Sequence, residues 1–151
     1  MTKKSAGILL YKIPETELQV LLVHPGGPYW AKKDQGSWSV PKGEFLQDEE
    51  PLKAAQREFY EETGERVKGD FMELGSVKLK SGKQVFCWAL EKDFNVENLT
   101  SNSCDIEWPP KSGKLISIPE VDKAAWFSIE QAMEYINEGQ KPFLVRLREK
   151  L

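Results

Sequence analysis

The hydrophobic pattern opens with two β-rich runs, "SAGILLYK" at residues 5–12 and "LQVLLVH" at 18–24, separated by "IPETE". Short apolar runs bounded by Pro and polar clusters predict strands, here joined by a hairpin loop. A Gly- and Pro-rich stretch follows, "PGGPYWAKKDQGS". Next comes "WSVPKG", an extended segment because Pro41 holds Val40 out of helical space. After residue 50 the period changes. Leu52, Ala55, Phe59 and Thr63 share one face of a helix, the face expected to lie on a sheet. Asp48 or Glu49 is its expected cap, Pro51 suits its first turn and Thr63-Gly64 ends it. "FMELGSVKLKSGKQVFCWALE" predicts two strands about the Ser81-Gly82 turn. "NLTSNSCDIEWPPKSGK" predicts a second irregular loop, leading to "LISIPEVDKAAWFS". "SIEQAMEYINEG" predicts a helix from a Ser128 cap to Gly139, and "PFLVRLREKL" a final short helix. Strands on both sides of the first helix make the class mixed α/β, with a sheet between helices.

A length of 151 residues is most simply one domain, 1–151, large enough for such a sheet. Net charge is −3, with acids and bases mixed along the chain and no basic tail or stripe, so non-specific binding to nucleic acid is not expected. The apolar run before Tyr11 is too short for a signal peptide and far too short to span a membrane. Cys87 and Cys104 form no CxxC pair and no metal spacing. Cys87, inside "QVFCWAL", reads as a small buried hydrophobe, and a reducing cytoplasm is the expected location.

The first helix and its entrance change the picture. "GEFLQDEEPLKAAQREFYEETG" holds seven carboxylates in twenty-two positions. Glu58, Glu61 and Glu62 fall on an arc beside the apolar face. Like charges three and four residues apart each cost about 0.2–0.5 kcal/mol on an isolated helix, and partial burial raises that cost. Arg57 is expected to neutralise one of them and not three. A hard divalent cation, Mg²⁺ or Mn²⁺, repairs the conflict, since oxygen ligands gathered this closely suit it. The competing reading is a solvated acidic face that binds no metal.

Gly43, Glu49 and "REFYEETG" at 57–64 match the pattern G-x5-E-x7-R-E-U-x-E-E-x-G-U, with U apolar. On these residues the chain resembles the Nudix hydrolases. Glu65 stands where the last apolar residue belongs, and Val67 is expected to take over its packing. The resemblance implies an α/β/α sandwich that cuts a pyrophosphate bond in a nucleoside diphosphate linked to another group. It implies that Glu58, Glu61 and Glu62 hold divalent ions with help from the Gly43 carbonyl. Arg57 then orients the glutamates, and Glu49 assists from further out. The general base is either Glu58 or a loop carboxylate. "EVDKAAW" places Glu120 six residues before Trp126, a spacing similar to that of diadenosine polyphosphate hydrolases; Glu107 and Asp105 are rivals.

Long loops in compact domains are often functional. In "HPGGPYWAKKDQGSW", Tyr29 or Trp30 could stack on a base, and Lys32, Lys33 or Lys42 could meet phosphates, Lys42 being favoured because it adjoins Gly43. His24, the sole histidine, reads as structural or surface rather than catalytic. Trp38 and Trp88 read as core, while Trp108 and its neighbouring lysines stay ambiguous. The expected partner is a small nucleotide or polyphosphate, with dinucleoside polyphosphates leading. Alternatives are oxidised nucleoside triphosphates or a Nudix-fold module that binds nucleotide without cutting it. Membrane and nucleic acid are not expected as partners. Oligomeric state is left open, a homodimer being one expectation.

Overall fold

The structure is a computed structural model and describes residues 3–151. Its strands are β1 (Lys4–Lys12), β2 (Gln19–Pro25), β3 (Lys42–Glu44), β4 (Met72–Lys78), β5 (Gln84–Glu91), β6 (Ser103–Glu107), β7 (Leu115–Pro119) and β8 (Val121–Ser128). The helices are α1 (Pro51–Thr63), α2 (Ile129–Tyr135) and α3 (Lys141–Lys150). Six strands form a mixed sheet in the order β4-β5-β1-β2-β8, with β3 also paired to β1. The result is the expected α/β/α sandwich.

β1 is the axis of the sheet. It runs parallel to β5 from Lys4 to Tyr11 and is buried from Ser5 to Leu10. Its other edge forks: Ser5–Gly7 pairs with β3, whereas Tyr11 and Lys12 pair with β2. Gly7 sits at the fork because a Cβ there would stand 2.6 Å from the Pro41 carbonyl oxygen. The divergence of β2 from β3 opens the sheet edge beside α1.

Alternation along the strands sends two side-chain sets to opposite faces. Ala6, Ile8, Leu10 and Leu21 pack under α1 against Ala54, Ala55 and Phe59. Leu9, Val20, Leu22 and Cys87 pack under α2 and α3 against Ala132, Phe143, Leu144 and Leu147. Cys87 and Trp38 are core as expected, and Trp88 is half-buried against the α1 cluster. Val67 joins that cluster at 5% exposure, so it does pack where Glu65 does not.

Four local expectations are corrected. The N-cap of α1 is Glu50, not Asp48 or Glu49, and its side chain makes no capping bond. Glu49 is drawn instead to the Leu46 N–H and to Arg57. On α1, Leu52 is only half-buried, and Ala54 takes its place on the packed face. The irregular loop at 98–114 contains β6, which forms a separate hairpin with β7. That strand lacks a buried face (Ser103, Asp105 and Glu107 are all exposed), so it carries little hydrophobic alternation to read. Finally, α2 ends at Tyr135, well before Gly139, because Trp38 takes over the pairing there. The Trp38 N–H donates to the Tyr135 carbonyl, and the Asn137 N–H to the Trp38 carbonyl. Among the described residues, no helix is long and apolar enough to cross a membrane.

Candidate active site

The end of α1 organises the site. Gly64, at φ +85°, closes the helix in the left-handed region that glycine tolerates. The carbonyls of the last turn are then taken up by the chain at 100–102. The Thr100 N–H donates to the Thr63 carbonyl at 3.0 Å and the Asn102 N–H to the Glu61 carbonyl at 2.8 Å. One step further, the Glu120 N–H donates to the Asn102 carbonyl at 2.8 Å. The Gly26 N–H bonds to the Glu120 carbonyl at 3.0 Å, an approach so close that a Cβ on Gly26 would overlap Pro119. Backbone bonds therefore carry Glu120, sixty positions away in sequence, to the acidic side of α1.

Three carboxylates meet there on one guanidinium. Arg57 Nη1 donates to Glu58 at 2.6 Å and Glu61 at 2.9 Å, while its Nε and Nη2 both reach Glu49 at 3.1 Å. Its forked donors thus reach three carboxylates. Its single charge still leaves the group negative. Glu62 stands apart from Arg57, accepting the Lys42 backbone N–H at 3.3 Å.

Burial sets the electrostatics. Glu58 and Glu62 are 8% and 9% exposed. Burial pushes the Glu62 carboxyl up to about 8 despite the nearby Lys42, with Glu120 and Glu58 adding repulsion. Glu58 is raised by burial, with the Arg57 hydrogen bond pulling the other way, and Glu120 is raised by burial and by Glu61. Lys42 is lowered by burial and by Lys83, against the pull of Glu62, Glu44 and Glu58. Glu49 lies below the usual range because of its bonds to Arg57 and Leu46. Mutual repulsion among half-dehydrated carboxylates is the signature of a place built for a counter-ion or a proton.

In this conformation no three acidic side chains, among the described residues, already surround one point. Glu58 and Glu61 are gathered on Arg57, and Glu62 on the Lys42 amide. The donor set nonetheless fits a hard divalent cation. It is all oxygen, and Gly43 leaves the room: a Cβ there would overlap the Glu58 carboxylate.

The remaining candidates divide. Glu120, Glu62, Lys42 and Trp30 line one cavity of about 230 Å³, which Ser37, Ser39, Asn137 and Gln140 also line. Tyr29 is 57% exposed and stands edge-on to Trp30. The Lys33 ammonium lies 4.0 Å over the Tyr29 ring and 5.4 Å from that of Trp30, so these three side chains form one cluster. Lys32 is exposed. Glu107 turns away to accept the Lys111 and Gly113 amides at its own hairpin tip, and Asp105 is exposed on β6. Trp108 stands half-buried at that hairpin.

His24 is fully buried, its Nδ1 2.9 Å from Asp122 and its Nε2 2.6 Å from the Lys33 carbonyl. It anchors the loop that bears Trp30 and Lys33, the structural of the two roles expected of it. Trp38 reinforces the same loop through Nε1 to Asp34 at 2.8 Å. Ser37, Ser39, Asn137 and Gln140 went unnoticed in the sequence, since polar residues in loops and short turns carry no periodic signal. The pairing of Trp38 with Tyr135 and Asn137, and the bonds of Gln140 to Val40 and Ser39, bring them together at the cavity.

A family described as NUDIX domain matches residues 1–147. Comparison with curated protein sequences gives no match. Among solved structures, a Caenorhabditis elegans Ap4A hydrolase in a binary complex is similar at TM-score 0.68 and 18% identity, over 97% of this chain and 96% of that one. The NUDIX domain of Shewanella oneidensis NrtR, complexed with ADP ribose, aligns at TM-score 0.65 and 17% identity, over 99% and 88%. A MutT protein from Methanosarcina mazei Go1 aligns at 0.59 and 20%, over 99% and 94%. At these identities the likeness is one of fold.

Proposed function

The chain belongs to the Nudix family of pyrophosphohydrolases, and from that premise we propose that it acts as one domain that hydrolyses dinucleoside polyphosphates with Mg²⁺ or Mn²⁺. The observation that carries this reading is the meeting of Glu58, Glu61, Glu62 and Glu120 beside a cavity that also holds Lys42 and Trp30. Glu120 belongs to the "E-x5-W" spacing, and the similar fold of the Ap4A hydrolase supports the same substrate class.

Glu58, Glu61 and Glu62, with the Gly43 carbonyl, would hold the metal ions. When bound, these ions neutralise phosphoryl oxygens and lower the pKa of a water. The protein does the rest. Arg57 keeps Glu58 and Glu61 aligned, and Glu49 holds Arg57 from its outer side. Lys42 meets the phosphates, helped at the loop by Lys33. Trp30, with Tyr29 behind it, offers an aromatic surface to a base. A Glu120 oxygen takes the proton of the attacking water, the water oxygen bonds to phosphorus, and the bridging P–O bond breaks with its electrons on the departing phosphate. The raised position of Glu120 suits a base that must return its proton afterwards. Glu58 is the second candidate for that role, but its carboxylate is committed to Arg57. The cytoplasm suits both the cysteines and the substrate.

The test is a panel of dinucleoside tetraphosphate, nucleoside triphosphates (oxidised ones included), nucleotide sugars and diphosphoinositols, assayed with Mg²⁺ and with Mn²⁺. Dinucleoside tetraphosphate should give the highest kcat/KM. Preference for an oxidised triphosphate would replace this substrate class, and nucleotide binding without turnover would make the chain a binding module.

A further inference from the structure

Two cavities flank the acidic side of α1. The first is the one lined by Glu62, Glu120, Lys42 and Trp30, near the C-terminal half of the helix. The second, about 820 Å³, lies beyond the other end of the carboxylate group, where Lys3, Lys4, Phe45, Leu46 and Arg57 form its walls together with the carboxylates of Glu44 and Glu49. Arg57 joins them: Nη1 bonds to Glu58 and Glu61 of the cluster, while Nε and Nη2 bond to Glu49, which lines the second cavity. The second cavity begins where the cluster ends.

Its walls are held in place by the backbone. The Phe45 N–H donates to the Lys4 carbonyl at 3.1 Å, and the Glu49 N–H to the Leu46 carbonyl at 3.0 Å. The Leu46 N–H donates to Glu49 Oε1 at 3.3 Å. The Phe45 ring is fixed edge-on to Phe86, with centroids 6.2 Å apart. Leu46 lies 71% exposed on this loop. An isolated exposed leucine needs no explanation, but here it borders an aromatic ring and two lysines around a space of ligand size. Lys3 is within 3.9 Å of Glu44, and Lys4 is exposed.

We propose that this second cavity receives the half of the substrate beyond the bond that is cut, a nucleoside phosphate whose base lies on Phe45 and Leu46 and whose phosphates meet Lys4. The proposal rests on reading the carboxylate cluster as the pyrophosphate-cutting centre. Each side of that centre then offers the same pair of features, an aromatic or apolar surface and a cation, which is what a base and a phosphate require. A nucleoside triphosphate fills only one side, since its other fragment is a bare phosphate or pyrophosphate. A dinucleoside polyphosphate fills both. The second cavity is thus the feature that separates these two substrate classes.

Steady-state kinetics on Leu46→Ser, Lys4→Ala and the double variant provide the test, each protein being assayed with Mg²⁺ on diadenosine tetraphosphate and on ATP. Both side chains are exposed, so the variants fold, and circular dichroism checks it. The ratio of KM for the dinucleotide to KM for ATP should rise at least threefold in each single variant and about tenfold in the double. An unchanged ratio in active variants would overturn the second cavity while leaving the hydrolase reading intact. Turnover of neither compound by the unmodified protein would overturn both.

Discussion

The two faces of the central sheet have the same apolar floor and opposite finishes. Under α2 and α3 the packed layer is closed: Phe143, Leu144 and Leu147 have no exposure, and Ala132 is fully buried beside them. Under α1, Ala54, Ala55 and Phe59 pack as tightly, yet Glu58 and Glu62 sit at the border of the same layer with their charges only partly answered. Groups that destabilise a fold persist where they do something else. The difference assigns stability to one face and chemistry to the other.

The largest effect should come from Glu62. Glu62→Gln should lower kcat for pyrophosphate hydrolysis by roughly 10³- to 10⁴-fold, because a group that serves the reaction is lost, and the melting temperature should hold or rise, because a strained buried acid is removed. A parallel fall in both would move Glu62 to the stabilising face. The reverse substitution is Leu144→Ala, which should cost about 2–5 kcal/mol in urea unfolding while the folded variant keeps its kcat. Glu120→Gln comes next, with kcat down by about 10²-fold and Mn²⁺ affinity close to that of the unmodified protein. An equally strong loss of Mn²⁺ would make Glu120 a ligand and not the base.

The smallest effect is on pH. The Glu62 carboxyl moves from an ordinary value of 4.5 in the unfolded chain to about 8 when folded, so the folded state binds the proton more tightly. Its contribution to stability is full below pH 4.5 and fades as pH rises through about 8. Metal-free protein in EDTA should therefore melt lower at pH 8 than at pH 6, and this difference should shrink in Glu62→Gln. A difference of equal size in both proteins would remove Glu62 as its source.

The closed face and the helix on the open one were legible from periodicity, since burial on a sheet imposes a repeat of 3.6 or 2 on the apolar positions. Leu52 illustrates the limit: the wheel places it on the packed face, but in the first turn it is only half-buried while Ala54 is fully buried. The acidic positions were legible as a spacing, and Glu120 through its distance from Trp126. What spacing could not convey was partnership. That Glu62 turns away from Arg57 to the Lys42 amide depends on where β3 runs beside α1, a tertiary fact. The β6–β7 hairpin stayed hidden because its strands bury almost nothing, and the cavity wall of Ser37, Ser39, Asn137 and Gln140 because it is assembled from two segments about a hundred positions apart.

Whether the open face is a cation site is decided most directly by titrating the protein with Mn²⁺ and following free Mn²⁺ by electron paramagnetic resonance. The signal of free ion should be depleted by the unmodified protein, and at least tenfold higher concentrations of Glu62→Gln should be needed for the same depletion. Full recovery of the free-ion signal in the presence of the unmodified protein would leave the carboxylates of α1 as a strained but idle surface.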